Sequence, residues 1–322
     1  MHAMAIVVGI DEAGYGPILG PLVVVAAVFE VPNELAEADL WQVLAAGVTA
    51  AAPRRHDRVM IADSKKVHQG DRKFERLERN VLATCPLPVP LSLTDLAAWL
   101  GVSDDHLAGR EPWYAEGFPT LPIQAEPADV ELLRATFCQA LDAAGISLRA
   151  VIARLAQPER FNRLIADTDN KATALWSLAA GLLSEVVDTC RPATIHATLD
   201  KQGGRTVYVR PLQELFPMTG LSVLAQKSEE SRYRLALGGG TVLDVTLREK
   251  ADVTSLPVSL ASMYAKYLRE VCMHQFNSWW QGRAAEVAPT AGYWTDYQRW
   301  AAEMQPHLAA LDLPSEQYIR CR

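Results

Sequence analysis

Two adjacent acids, Asp11 and Glu12, leave the apolar run Ile6-Val7-Val8-Gly9-Ile10 and enter the glycine-rich stretch Ala13-Gly14-Tyr15-Gly16-Pro17-Ile18-Leu19-Gly20-Pro21. Neighbouring side chains on a strand point to opposite faces, so both cannot be buried in one core, and at least one must meet solvent, a cation or a substrate. A second apolar segment, Ala193 to Leu199, also ends in an acid, Asp200. A fourth, Asp252, stands just before a stretch rich in small and apolar residues. Strand ends and their loops gather functional groups in α/β sheets, so these acids are candidates for one site. Carboxylates brought that close repel and raise one another's pKa values, and divalent cations relieve the strain. An all-oxygen donor set favours Mg²⁺ or Mn²⁺ over zinc.

Two other readings of the opening segment compete. Gly14-Tyr15-Gly16 with Gly20 superficially resembles a dinucleotide-binding loop. However, its spacing is one residue too long, Pro17 and Pro21 remove backbone donors, and a β-rich run from Leu22 to Phe29 follows where a helix N-terminus should hold the phosphates. A β-hairpin with an acidic, solvated corner accounts equally well for Asp11 and Glu12 taken alone.

The elements that must position these groups follow from periodicity and turn chemistry. Asp63 or Ser64 can cap a charged helix running to about Leu82, with Lys65 and Lys66 in its first turn. That end of a helix disfavours cations, so the lysines are either held for an anion or simply solvated. Residues 85–127 are proline-rich but carry aromatic residues, as an inserted structured region would. A helix is predicted from Ala128 to Ala144, a strand over Leu148 to Leu155, and a long helix from Asp169-Asn170-Lys171 with a core-facing apolar stripe. Val223 to Val245 reads as β-structure around Gly238-Gly239-Gly240, and Ser255 to Val271, with Pro257 in its first turn, as a helix packed on a sheet. The late tryptophans Trp279, Trp280, Trp294 and Trp300 are expected in the core or an interface.

With 322 residues and 49% hydrophobic content, the chain can bury a sizeable core. A net charge of −7 argues against diffuse polybasic binding but permits a local basic groove. Five scattered cysteines form no zinc spacing and suit a reduced, cytoplasmic setting. No segment reads as a secretory signal or a membrane span.

In this order along the chain, the motifs resemble those of the type 2 ribonuclease H family. Gly9-Ile10-Asp11-Glu12-Ala13-Gly14-Tyr15-Gly16-Pro17 with Gly20-Pro21 is similar to its opening motif, and Asp63-Ser64-Lys65-Lys66 to its next element. Thr198-Leu199-Asp200 is similar to its strand-end aspartate, Ala251-Asp252 with Ser259 to Glu270 to its fourth-acid segment and helix, and Ala291-Gly292-Tyr293-Trp294-Thr295 to its late Gly-Tyr-x-Thr element. Three departures stand out. Tyr15 stands in place of the arginine of Gly-Arg-Gly, which the type 3 branch also lacks. Asp200-Lys201-Gln202 replaces Asp-Gly-Asn, and Thr290-Ala291 replaces a basic pair.

The resemblance implies a single ribonuclease H-like domain over residues 1–322: a three-layer α/β fold with a mixed central sheet and Ile6 to Asp11 in its middle. Insertions at 85–127 and 205–248 and a C-terminal helical segment from about 272 are expected additions. It further implies a metal-dependent endonuclease that hydrolyses the RNA strand of RNA–DNA hybrids or ribonucleotide-containing duplexes. Asp11, Glu12, Asp200 and Asp252 would hold two Mg²⁺ or Mn²⁺ ions, and Gly14, Tyr15, Gly16, Lys65, Lys66, Lys266 and Tyr293 would contact substrate. Lys266 fits a helix-capping role equally well, and Tyr293 a packed position. A nucleic-acid-binding relative with weak catalysis, and a ribonuclease H-like nuclease acting on DNA, are the alternative activities.

Overall fold

The computed structural model describes residues 3–53, 57–86, 88–107, 111–115, 117–201, 205–311 and 313–321. Seven strands form one mixed sheet: β1 (Met4–Ala13), β2 (Leu22–Pro32), β3 (Ser147–Ala156), β4 (Thr194–Asp200), β5 (Gly220–Gln226), β6 (Glu230–Gly238) and β7 (Thr241–Arg248). Their spatial order is β3-β2-β1-β4-β7-β6-β5. β1 lies antiparallel to β2 and β2 antiparallel to β3, whereas β1–β4 and β4–β7 run parallel. This is the expected ribonuclease H-like sheet with Ile6 to Asp11 inside it. The 205–248 region holds β7 and, antiparallel at the far edge of the sheet, β5 and β6.

Helices cover both faces. On one side, Ile6, Val8 and Ile10 of β1 pack with Leu175, Ala179, Leu182 and Val186 of the helix Lys171–Cys190. Asn170 caps that helix by accepting from the Thr173 N–H at 3.0 Å, as its sequence predicts. On the other side lies Leu256–Gln281, buried along nearly its whole length. It crosses β1 and β2, and with helices on both faces β2 is a continuous apolar run rather than an alternating one. The helix extends beyond the predicted Val271, so the C-terminal segment begins after Gln281.

Two local differences have physical causes. The stretch predicted as one helix from Asp63 to Leu82 is two, Ser64–Val67 and Lys73–Leu82, because Gly70 and Arg72 take positive φ of 72° and 53°. An additional helix, Pro158–Thr168, precedes Asn170; its first-turn proline was the available sequence signal. The 85–127 region is anchored by a buried carboxylate. Glu78 accepts the N–H groups of Ile123 and Gln124 at 2.7 Å and the Tyr267 hydroxyl at 2.8 Å. The tryptophans divide as Trp279, Trp280 and Trp300 in the core and Trp294 at 42% exposure, stacked on Tyr297. Among the described residues, no helix is long and apolar enough to cross a membrane.

Candidate active site

Strand alternation places Gly9 and Asp11 on the face under Leu256–Gln281, and a Cβ on Gly9 would lie 2.1 Å from the Pro257 carbonyl carbon. That close approach brings Ser262 within hydrogen-bond reach of the Asp11 carboxylate. The Ser262 hydroxyl in turn donates to Ser64 Oγ at 3.0 Å, tying in the Asp63-Ser64-Lys65-Lys66 segment. There Asp63 caps its short helix by accepting from the Lys65 N–H at 2.8 Å. β4 is parallel to β1 in a register pairing Ile10 with Leu199, so Asp200 leaves the sheet beside Asp11 and on the same face. Asp200 accepts from the Ala251 N–H at 2.9 Å, and this fixes the short helix Ala251–Thr254 that carries Asp252.

The four sequence-predicted acids therefore lie at one end of the sheet, with Asp200 acting on Asp11, Glu12 and Asp252 alike, and their electrostatics record it. Burial, then Glu12 and Asp200, hold the Asp11 carboxyl well above its ordinary range. Burial and the Asp200 charge raise Glu12 to about 7, although alternation starts it on the opposite face. Burial, then Asp63 and Asp200, raise Asp252 to about 6, and burial raises Asp200. Lys65 acts against these shifts at Glu12, Asp200 and Asp252 together. Sequence reading missed Asp63 as a neighbour of Asp252 and assigned Lys65 only to substrate.

Among the described residues, no three His, Cys, Asp or Glu side chains stand in an arrangement that would hold an ion as placed. As placed, Asp11 faces Ser262, Asp200 faces backbone N–H groups and Asp252 faces Asp63. The donor chemistry still fits a hard divalent cation, since mutually destabilised carboxylates are the groups such a charge relieves.

These shifts set a pH dependence. The folded chain binds protons at Glu12 and Asp252 up to about pH 7 and 6, where the unfolded chain, with ordinary carboxylate values of 4.5 and 3.8, has released them. The native state thus holds the extra protons, so this contribution is complete below about pH 4 and is lost as pH rises through 6 and 7. In chelator, calorimetry is expected to show the melting temperature declining across this window. Mn²⁺ should flatten the decline, and identical slopes with and without Mn²⁺ would count against cation capture by these acids.

The glycine turn lies beside the acids. Gly14, at φ 93°, has Pro21 O 2.5 Å and Arg269 Cδ 2.9 Å from where a Cβ would be, so a side chain there meets both strain and contact. Tyr15 is half-buried beneath Lys171, whose Nζ is 4.9 Å from its ring, and burial and Glu12 raise its phenol pKa. Gly16 is exposed, and its missing Cβ would lie 3.9 Å from Tyr293 Cε1. The Gly292 carbonyl accepts from Ile18 N at 2.7 Å, which locks the Tyr293 loop to the turn. Tyr293 is 51% exposed and so is not a packed core residue. Lys66 is exposed on the same short helix as Lys65. Lys266 is engaged otherwise, with Nζ 2.7 Å from Glu270 Oε1. Gln202, Gly203 and Gly204 lie outside the described residues. A separate cavity of about 380 Å³, lined in part by His196, Arg232 and Asp244, contains none of the four acids.

No protein-family model matches the chain, and no curated protein matches it. Among solved structures it is similar to ribonuclease HII of Archaeoglobus fulgidus, solved as a complex with PCNA. Identity there is 15%, covering 98% of this chain and 94% of that one, with a TM-score of 0.44. Bst-RNase HIII in complex with Mn²⁺ matches at 15% identity over 98% of this chain and 66% of that one, with a TM-score of 0.45. Ribonuclease H2 from Pyrococcus horikoshii OT3 matches at 16% identity over 97% and 92%, with a TM-score of 0.39. At such identities and scores no residue's role is drawn from the likeness. Strand order, strand direction and helices on both faces give this chain the ribonuclease H-like α/β fold.

Proposed function

We propose that the chain is a metal-dependent endonuclease that cleaves the RNA strand of RNA–DNA hybrids or of duplexes containing ribonucleotides. The observation that supports it most is the coupling of Asp11, Glu12, Asp200 and Asp252, carried by three strand or helix ends, beside an exposed glycine turn and Tyr293. Two Mg²⁺ or Mn²⁺ ions held by these acids would supply Lewis-acid stabilisation of the phosphoryl oxygens and a water of lowered pKa. The protein's own part is positioning and charge. Ser262 and the Ala251 N–H orient Asp11 and Asp200, and Lys65 moderates the anionic field where a phosphate must enter. The exposed Gly16 lets the main chain approach a ribose, where a 2′-hydroxyl separates RNA from DNA. Tyr293 offers an exposed ring beside that position for stacking on a sugar or base.

The test is cleavage of three labelled duplexes, an RNA–DNA hybrid, a DNA duplex with one ribonucleotide and plain DNA, in Mg²⁺ and in Mn²⁺. Cutting confined to the ribonucleotide-containing substrates is expected. Binding without cutting would indicate a catalytically weak relative, and cutting of plain DNA a nuclease of different specificity. Lys65→Met is expected to raise KM several-fold, regardless of sequence, and to reduce the slope of log KM against log salt by about one, as loss of one phosphate contact does. An unchanged salt slope would remove Lys65 from the substrate path.

A further inference from the structure

The underside of the glycine turn is held by two arginines that sequence motifs did not single out. Arg320, 2% exposed, reaches back from the C-terminal segment so that its Nη2 donates to the carbonyls of both Gly14 and Pro17. Its own N–H donates to the Ile18 carbonyl at 2.9 Å. Arg269, 1% exposed, donates from Nη2 to Leu19 O at 3.2 Å and Ala291 O at 3.1 Å, joining the turn to the Tyr293 loop. The Arg320 guanidinium lies over the Phe161 ring at 4.7 Å, and its Nε and Nη1 are buried with no hydrogen-bond partner among the described residues.

This arrangement is costly. Two guanidinium groups buried near each other, each with an unpaired Nε–H among the described residues, oppose folding even with the Glu270 carboxylate 3.3 Å from Arg269 Nη1, and apolar side chains of similar volume would fill the space at lower cost. What an apolar side chain cannot do is set the direction of the turn's peptide planes. In a trans peptide the carbonyl of one residue and the N–H of the next point opposite ways. Drawing the Gly14 carbonyl to Arg320 therefore turns the Tyr15 N–H away from Arg320, next to the exposed Gly16.

We propose that Arg320 is a positioning residue for ribose recognition: by holding the Gly14 and Pro17 carbonyls it aims the Tyr15 N–H at the 2′-hydroxyl of a bound ribonucleotide. Arg269 keeps the Tyr293 loop in register with that turn. The inference rests on the function proposed above. It predicts that Arg320 governs discrimination between RNA and DNA, which a purely structural arginine would not.

The experiment uses the full chain carrying Asp11→Asn, so that binding is read without turnover. Affinities in Mn²⁺ are compared for a duplex with a single ribonucleotide and its all-DNA counterpart, with Arg320 intact and as Arg320→Lys. The lysine retains the charge but lacks the planar fork. The intact protein is expected to prefer the ribonucleotide duplex, and Arg320→Lys to lower that preference at least fivefold while DNA affinity stays within about twofold, one lost hydrogen bond being worth roughly this much. Equal loss on both duplexes, or an unchanged preference, overturns the proposal. If the intact protein shows no preference, the functional reading fails and this inference with it.

Should Arg320→Lys not fold, hydrogen exchange on the Arg320-intact protein decides the matter. The ribonucleotide duplex is expected to slow exchange in peptides spanning 13–19 and 315–321 together, and plain DNA in neither. Slowing in 13–19 alone overturns the role of Arg320.

Discussion

Asp11→Asn is expected to reduce hydrolysis of the RNA–DNA hybrid by roughly three orders of magnitude, the scale on which loss of a preorganised electrostatic group acts. The substitution preserves volume, and the amide N–H can donate to Ser262 Oγ, whose own proton goes to Ser64, so the arrangement at the end of β1 persists. It also removes a buried charge that burial, Glu12 and Asp200 all disfavour. In chelator at neutral pH the variant should therefore melt no lower than the parent chain. Activity lost with stability kept is what a site residue produces, whereas a structural residue loses both. Single-turnover cleavage and calorimetry on the same preparation provide the comparison. Activity within tenfold of the parent would take Asp11 out of the reaction.

Gly9→Ala is expected to destabilise the fold by about 3 kcal/mol or more, the upper part of the range for forcing extra volume into a packed core. The new methyl would lie 2.1 Å from both Pro257 C and Val258 N, which are backbone atoms that cannot rotate away. Either β1 or the start of Leu256–Gln281 must move, and with it the Asp11–Ser262 contact. Gly181, on the exposed side of Lys171–Cys190 with nothing within 4 Å of its would-be Cβ, is the matched control. There an alanine should stabilise by roughly 1 kcal/mol through helix propensity. Urea unfolding of the two variants measures both values, and a Gly9→Ala midpoint equal to that of the parent would contradict the close helix–strand approach described above.

Much of the architecture was legible from local pattern. The apolar run ending at Asp11, the strand ending at Asp200, the capped helix after Asn170 and the proline-started helix after Ser255 are read from periodicity and capping, which act over a few residues. The split of Asp63 to Leu82 into two helices was harder to see, because it depends on Arg72 taking positive φ as well as Gly70. Lys65 and Lys266 looked alike as free cations. Whether each stays free depends on neighbours across space, and Glu270 engages Lys266 while Lys65 stands among acids.

By itself, then, the sequence determined the acids, the strands and helices that end at them and the glycine turn between, since backbone sterics and hydrophobic spacing are local properties. The tertiary structure alone decided that Asp63 stands against Asp252, that Ser262 holds Asp11, and that Arg269 and Arg320 grip the turn. Those contacts join residues up to 306 positions apart, and only the packing of Leu256–Gln281 and the C-terminal segment onto β1 brings them within hydrogen-bond range.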